Sequence, residues 1–210
     1  KGFYHQDREI PLEQVLSIDF FTVHPQAYWE WFAQENAREG VAHNAAHRFV
    51  ADLERAGKLS AVVTQNIDGL HQRAGSERVL ELHGNWSRLT CTGCGEHVTL
   101  DDVDGARSGE VPRCPACASV LRPDIVFYGE MLDSDVIEGA VLAISEADLL
   151  IVAGTSLVVY PAAGLVDYYA GERLVLMNAT STPYDSRADL IIREPVGQVF
   201  EELGRRSRRP

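Results

Sequence analysis

The sequence lacks any long run of apolar residues, and no segment approaches the ~20 that a membrane-spanning helix needs. It opens with KGFYHQDREI, which has no apolar core of the kind that a secretory signal peptide carries. No internal repeat or low-complexity segment is present. These absences favour a cytoplasmic protein without a membrane partner. With 210 residues and a 45% hydrophobic fraction, one domain with a small insertion is expected.

An excess of basic residues is also missing, since 19 Lys and Arg stand against 31 Asp and Glu, a net charge of −12. This balance argues against nucleic acid as a partner, because nonspecific binding to phosphates depends on basic surface. An acidic chain steers basic partners such as lysine-bearing proteins towards itself, although its simplest consequence is solubility. The last six residues, RRSRRP, form a short basic tail that is typical of a frayed, solvated end.

Cysteine is scarce, and its four copies are confined to one short stretch: Cys91, Cys94, Cys114 and Cys117. Because nothing suggests a secreted protein, a disulfide framework is not expected. The sequences CTGC and CPAC form two C-x-x-C pairs, separated by residues 95–113. This spacing predicts a structural zinc ribbon, since Zn²⁺ favours a closed tetrahedral set of thiolates. An iron–sulfur cluster is the alternative that the residues leave open.

Short, nearly continuous runs of Val, Leu and Ile predict buried parallel strands. They are LSAVVTQ (59–65), DLLIVAG (148–154) and RLVLMNA (173–179), with VLELHG (79–84) and ADLIIR (188–193) as further strands. Helical patterns lie between them at 25–40, 44–57, 133–147 and 161–171, and Asp133 or Ser134 is placed to cap the third. The alternation predicts an α/β fold with a Rossmann-like parallel sheet over 1–87 and 123–210. The cysteine-bearing segment, 88–122, is predicted to be a small inserted zinc-ribbon lobe.

Polar residues follow the predicted strands at the ends where α/β proteins bind ligands. The first strand runs into TQNIDGLHQRAG, whereas Gly154 and Asn178 stand at the ends of two later strands. In the first of these loops Asn66 or Asp68 could also simply cap the following helix. A histidine in a neighbouring loop, His83, is suited to acid–base chemistry because imidazole titrates near neutral pH.

Six motifs occur in a fixed order: TQNIDGLHQRAG, LHGN, the paired C-x-x-C motifs, RPDIVFYGE, AGTSLVVYPAA and LMNAT. Together they resemble the sirtuins, the NAD-dependent protein-lysine deacylases, and most closely the bacterial members. The resemblance runs from the first residues to about Phe200. It implies removal of acetyl or similar uncharged acyl groups from acetyl-lysine proteins or peptides, with release of nicotinamide and acetyl-ADP-ribose. Mono-ADP-ribosyl transfer is the enzymatic alternative, and a zinc-ribbon interaction module is the non-enzymatic one.

The resemblance also implies roles for individual residues, with NAD as cosubstrate and Zn²⁺ as structural metal. His83 is the expected general base, and Asn66 shares the catalytic site. The expected NAD contacts are Gln65, Asn66, Ile67, Asp68, Gly154, Thr155, Ser156, Asn178, Ala179 and Thr180. The expected acyl-lysine contacts are Val126, Tyr128, Gly129, Glu130 and Val159.

Two departures from the family pattern bear on activity. Sirtuins normally begin with a Gly-Ala-Gly-Ile-Ser strand and loop, and this sequence opens at KGFYHQ, just beyond where that Gly-rich segment should end. If the molecule itself lacks the segment, we expect weak NAD binding and an inactive form, because the loop supplies phosphate-binding amides. Phe32 and Glu35 stand where members specific for acidic acyl groups carry Tyr and Arg, which favours uncharged acyl groups.

Overall fold

The computed structural model describes residues 10–36 and 42–207, which fall into two compact units. The first unit contains Asn66–Gly69, His83–Leu132 and the described part of Lys1–Val41. The second contains Ala42–Gln65, Leu70–Leu82 and the described part of Asp133–Pro210. The opening KGFYHQ and the last three residues of the basic tail lie outside the described residues.

The described residues form helices and strands that alternate along much of the chain. The helices are α1 (Leu12–Val15), α2 (Ile18–Val23), α3 (Pro25–Asn36), α4 (Ala45–Arg55), α5 (Leu70–Arg73), α6 (Ser134–Ser145) and α7 (Val196–Ser207). The strands are β1 (Val62–Thr64), β2 (Val79–Glu81), β3 (Gly84–Cys91), β4 (His97–Thr99), β5 (Leu121–Ile125), β6 (Leu150–Ala153), β7 (Leu174–Met177) and β8 (Leu190–Ile192).

The first unit joins an antiparallel sheet to three helices around an aromatic core. Its strands lie in the order β4–β3–β5, and Cys91 of β3 pairs with Leu121 of β5. Helix α3 contributes Tyr28, Trp29 and Phe32, whose side chains are fully buried. The edge-to-face contact between Trp29 and Phe32, with ring centroids 5.0 Å apart, is a geometry that aromatic rings favour. This core includes Cys91 and therefore supports strand β3, which ends at that cysteine.

The second unit contains the parallel strands. Strand β1 pairs with β2, with Val62 opposite Val79, and β6, β7 and β8 form a separate ladder in that order. Leu174 and Leu176 of β7, the central strand of this ladder, are buried together with Ile144 of helix α6. The parallel direction brings the carboxyl ends of neighbouring strands to the same edge of each ladder, where ligands bind in α/β folds.

Local sequence sets the ends of the helices in the second unit. Asn44 caps α4, because its side-chain oxygen accepts hydrogen bonds from the amides of Ala46 and His47. The same helix ends at Arg55, and Gly57 follows shortly after it with a φ of +67°, the left-handed conformation that glycine adopts without a steric cost. Asp133 caps α6 by accepting from two backbone amides, which confirms one of the two predicted capping residues.

The α/β class and the parallel pairing predicted from the sequence are confirmed. Each of the five predicted strands forms, and the helical patterns at 44–57 and 133–147 correspond to α4 and α6. The pattern at 25–40 corresponds to α3, and its part beyond residue 36 lies outside the described residues. The segment 161–171 differs: it forms a 3₁₀ helix, Ala162–Tyr168, rather than an α-helix, which fits the low helix propensity of its Gly164.

Among residues 10–36 and 42–207, no helix has the length and apolar composition needed to cross a membrane.

Candidate functional site

Four cysteine sulfurs converge in the first unit. The Sγ atoms of Cys91 and Cys117 are 3.4 Å apart, those of Cys94 and Cys117 are 3.5 Å apart, and those of Cys94 and Cys114 are 3.7 Å apart. All four ligand atoms lie within 4.8 Å of one another, and none of the cysteines is in a disulfide. Sulfurs bound at ~2.3 Å to a tetrahedral Zn²⁺ stand ~3.8 Å apart, so the donor set fits that ion.

The surroundings of these sulfurs favour thiolates at two positions. The amide of Cys94 donates to the Sγ atom of Cys91 at 3.4 Å and lowers the pKa of that thiol. Hydrogen bonds from Ser119 lower the pKa of Cys117 to about 6. At Cys94 a backbone hydrogen bond from Glu96 lowers the pKa, but the neighbouring sulfurs outweigh it and raise the pKa to about 12. Sulfur atoms this close together repel one another as thiolates, and a cation bound among them would remove that repulsion. The cluster is therefore compatible with Zn²⁺, which binds thiolates.

The loop that contains Asn66, Ile67 and Asp68 belongs to the first unit, as does His83. The carbonyl oxygen of Ile67 accepts a hydrogen bond of 3.0 Å from the amide of Trp86, and the Ile67 side chain packs against the aromatic core. Trp86 lies on β3, three positions after His83 in the chain. The loop is thus held against the strand that begins directly after the predicted base.

The backbone of His83 is paired with the predicted substrate-binding segment. Its carbonyl oxygen accepts a hydrogen bond of 3.0 Å from the amide of Val126, and Gly84 is the register partner of Ile125. A Cβ atom on Gly84, whose φ is +77°, would lie 2.0 Å from the carbonyl oxygen of Asp124. The two backbones approach so closely that only glycine fits there. This close pairing fixes the backbone of His83 opposite Val126.

The segment after β5 forms a short parallel backbone pairing with the residues that precede α2. The amide of Tyr128 donates to the carbonyl oxygen of Leu16 at 2.8 Å, and the amide of Ile18 donates to the carbonyl oxygen of Tyr128 at 3.1 Å. The Tyr128 side chain is 41% exposed. Gly129 follows with a φ of +95°, and the chain turns there. Backbone hydrogen bonds therefore hold one continuous segment of the first unit, which contains Val126, Tyr128, Gly129 and Glu130.

In the second unit, residues that follow β1 and β6 meet. The side-chain amide of Gln65 lies 3.4 Å from the hydroxyl oxygen of Thr155, which also accepts a hydrogen bond of 3.2 Å from the amide of Leu157. Gly154 has a φ of +69°, and a Cβ atom there would meet nothing within 4 Å. Ser156 is exposed beside it. This open, hydroxyl-bearing turn at the end of a parallel strand suits the phosphate or ribose of a nucleotide.

The loop after β7 is held together by its own side chains. The Nδ2 atom of Asn178 donates to the carbonyl oxygen of Thr180 at 2.9 Å, and Ala179 and Thr180 are exposed. Arg193 donates to the carbonyl oxygens of Asn178 and Thr180 at 3.0 and 2.8 Å and forms an ion pair with Asp185. Val159, the remaining residue predicted to contact the substrate, is also in the second unit, where it is 42% exposed.

Two arginines with clear structural partners were not assigned any role from the sequence. Arg193 follows β8 and supports the Asn178–Thr180 loop, and Arg122 on β5 forms an ion pair with Glu130. Both arginines are visible in the sequence, Arg122 at the start of RPDIVFYGE and Arg193 at the end of ADLIIR. A charge at the edge of an apolar strand does not reveal its partner until the turn that follows is folded.

Phe32 and Glu35, the positions that suggested a preference for uncharged acyl groups, are both buried. Phe32 is fully buried and contacts the rings of Trp29 and Trp86, and Glu35 is only 7% exposed. Neither side chain is on the surface of the first unit. The preference for uncharged acyl groups consequently needs other support than these two side chains.

Two features of the chain define its class of protein. One unit has parallel strands with polar turns at their carboxyl ends, and the other has a four-cysteine site. They are the features of nucleotide-binding α/β proteins that carry a zinc-binding lobe. The Sir2 family model matches residues 1–161. This chain belongs to the Sir2 family.

Curated relatives and solved structures cover most of the chain. The NAD-dependent protein deacetylase of Clostridium acetobutylicum is 47% identical over 193 residues, 92% of this chain and 78% of the relative. The enzyme of the same name from Thermotoga maritima is 44% identical over 187 residues, 85% of this chain and 74% of the relative. A Sir2 structure bound to acetylated peptide is 41% identical with a TM-score of 0.82, over 92% of this chain and 83% of that chain.

Proposed function

We propose that this protein is an NAD-dependent protein-lysine deacetylase that releases nicotinamide and acetyl-ADP-ribose. The observation that carries the proposal is 47% identity over 92% of the chain to an enzyme of that name. Similar structures contain a p53 peptide with NAD⁺, and 2′-O-acetyl-ADP-ribose with a deacetylated peptide. Another contains a propionylated peptide, which supports small uncharged acyl groups as substrates. Acetyl-lysine proteins or peptides are the partners of this reaction.

The stretch Val126–Glu130 is the segment proposed to bind the acyl-lysine. Because the amide of Val126 already donates to His83, the group it offers to an acyl-lysine N–H is its carbonyl oxygen. Tyr128 and Val159 present exposed side chains for the apolar part of the substrate. Gly129 and Glu130 shape the turn that ends this segment.

His83 is the proposed general base, and Asn66 is proposed to share the catalytic site with it. The role of an imidazole here is to take a proton from a ribose hydroxyl so that the hydroxyl can attack the acyl carbon. The hydrogen bond between the His83 carbonyl oxygen and the Val126 amide supports this proposal, because it fixes the base relative to the segment that holds the acyl group.

The proposed NAD contacts form one group in each unit. In the first unit, Asn66, Ile67 and Asp68 offer amide, apolar and carboxylate groups to the ribose and nicotinamide. In the second unit, the contacts are Gln65 with Gly154, Thr155 and Ser156, and the loop Asn178, Ala179 and Thr180. When bound, NAD supplies the activated ribose and the nicotinamide leaving group.

Cys91, Cys94, Cys114 and Cys117 would hold a structural Zn²⁺ ion. With four protein thiolates the coordination is complete, so the metal supplies rigidity rather than a reactive position. We also propose the domain bounds 1–87 with 123–210 for NAD binding and 88–122 for the zinc-ribbon lobe. A cytoplasmic location suits reduced cysteines that bind metal, because oxidising compartments favour disulfides.

The substitution Thr155→Val tests the second-unit contacts. It keeps the side-chain shape but removes the hydroxyl that the Leu157 amide and the Gln65 side chain contact. The same hydroxyl is proposed to hydrogen-bond NAD, and a bond of that kind is worth about 1 kcal/mol, so the KM for NAD should rise about fivefold with an unchanged KM for peptide. The matched control is Thr22→Val, since that exposed hydroxyl donates to the carbonyl oxygen of Ile18 within its own helix. Equal KM values for NAD in both variants would contradict the contact.

The function itself is tested by incubating the full-length protein with an acetyl-lysine peptide, with and without NAD. We expect deacetylation only with NAD, and one nicotinamide released for each lysine freed, measured by chromatography. Deacetylation that proceeds without NAD, or nicotinamide release that does not depend on peptide, would refute the proposal. A peptide with unmodified lysine is the control.

A further inference from the structure

The turn that ends the proposed substrate segment is closed by one carboxylate. The Oε1 and Oε2 atoms of Glu130 accept hydrogen bonds of 2.7 and 2.8 Å from the two terminal nitrogens of Arg122. The Oε2 atom also accepts the amide of Phe127 at 3.0 Å, and the amide of Glu130 donates to the carbonyl oxygen of Phe127 at 3.0 Å. Side chain and backbone of Glu130 thus both bind Phe127.

Arg122 holds the other end of the same segment. Its Nη2 atom donates to the carbonyl oxygen of Ile125 at 3.1 Å, and its guanidinium carbon lies 5.2 Å from the centre of the Phe127 ring. Ile125 and Phe127 are the immediate neighbours of Val126. The pair Arg122–Glu130 therefore fixes the backbone on both sides of the residue whose carbonyl oxygen is proposed to bind the acyl-lysine.

The pair is partly shielded from water, since the side chains of Arg122 and Glu130 are each 25% exposed. The hydrogen bonds that Arg122 donates to Glu130 raise the pKa of Arg122 and outweigh the effect of its burial. Burial would raise the pKa of Glu130, but hydrogen bonds from Arg122 and the Phe127 amide outweigh it, and that pKa is lowered. Both groups are charged, and a two-point contact of this kind fixes orientation as well as distance.

We propose that Arg122 and Glu130 are positioning residues for substrate binding, which set the backbone of Val126 to receive the acyl-lysine. This inference depends on the proposed deacetylase function. Glu130 would then affect substrate binding indirectly. Its carboxylate accepts hydrogen bonds from Arg122 and the Phe127 amide, and so it holds the turn that positions Val126. A residue that only sets the shape of a binding segment affects ground-state and transition-state binding alike.

Steady-state kinetics of Glu130→Gln and Arg122→Lys with an acetyl-lysine peptide test the proposal. Gln keeps the size but loses the charge, and Lys keeps the charge but loses the two-point geometry. We expect the peptide KM to rise about tenfold in Glu130→Gln and less in Arg122→Lys, with kcat within about threefold and the KM for NAD unchanged. In a variant that combines both substitutions, the effects should not add, because one contact has been removed twice.

The matched control is Arg107→Met, which breaks an ion pair with Asp101 in the same unit whose two side chains are 59% and 83% exposed. It should leave both KM values unchanged. Zinc content, measured on every variant, reports whether the first unit is folded. If Glu130→Gln loses zinc, the peptide KM of Arg122→Lys decides the question in its place.

A direct binding measurement separates this inference from the function. The Kd of a fluorescent acetyl-lysine peptide, from anisotropy, should rise about tenfold in Glu130→Gln. If the wild-type protein binds the peptide but does not deacetylate it, the proposed function is refuted. The Kd values of the variants would still test whether Arg122 and Glu130 position the substrate segment. Unchanged peptide Kd and KM in folded Glu130→Gln and Arg122→Lys, beside an active wild-type protein, would overturn the positioning role alone. Absence of peptide binding by the wild-type protein would overturn both.

Discussion

Replacing His83 with alanine should lower kcat for deacetylation by about 10²- to 10⁴-fold, the usual contribution of a general base. The backbone hydrogen bond between His83 and Val126 does not involve the imidazole, so the substitution leaves the substrate segment in place. The peptide Kd, measured by anisotropy, should therefore change by less than about threefold. The loss would be confined to the chemical step, which single-turnover kinetics measure directly.

The matched control for this experiment is His97→Ala. His97 is also in the first unit, on β4, and its side chain is 77% exposed. The substitution should leave kcat within about twofold of wild type, because the exposed imidazole contacts Thr90 and Asp124 and none of the proposed site residues in the described structure. Full activity of His83→Ala, with kcat close to that of His97→Ala, would remove the proposed base.

Replacing Cys114 with serine should abolish zinc binding and unfold part of the first unit. The binding energy of a structural Zn²⁺ in small zinc domains is about 10–16 kcal/mol, which is comparable to the whole stability of a domain. Cys91 and Leu121 are paired across β3 and β5, so loss of the metal would disturb the strand that contains Arg122. We expect less than about 0.1 zinc per chain by elemental analysis, compared with about one in the wild type.

The control for the zinc experiment is Glu96→Gln, in the turn that follows Cys94. Its side chain is exposed and is not one of the four ligands, so zinc content and far-ultraviolet circular dichroism should match the wild type. A Cys114→Ser protein that keeps a full equivalent of zinc and its wild-type spectrum would show that the four sulfurs do not form one site.

The strands could be predicted from the sequence because buried parallel strands are continuous in Val, Leu and Ile. What the pattern did not reveal is which strands pair: β1 and β2 form one ladder, and β6, β7 and β8 form another. Hydrophobic periodicity records burial of a side chain and carries no information on backbone hydrogen-bond partners. The 3₁₀ helix Ala162–Tyr168 was predicted as helical, but its hydrogen-bond type depends on local geometry.

The zinc site could be predicted because its ligands come in two closely spaced pairs. Arg122 could not, because its role depends on a turn that brings Glu130 back towards β5. Arg193 is similar, since its bonds go to backbone carbonyl oxygens of a loop that precedes it by more than ten residues. Such bonds depend on where the backbone is placed, which no residue spacing encodes.

The central claim, that an acyl group on lysine is transferred to the ribose of NAD, is tested most directly by the mass of the nucleotide product. Full-length protein, NAD and a peptide with a ¹³C-labelled acetyl-lysine should yield acetyl-ADP-ribose that carries the label, together with unmodified peptide lysine. ADP-ribose attached to protein, or labelled free acetate as the first product with NAD intact, would contradict the account.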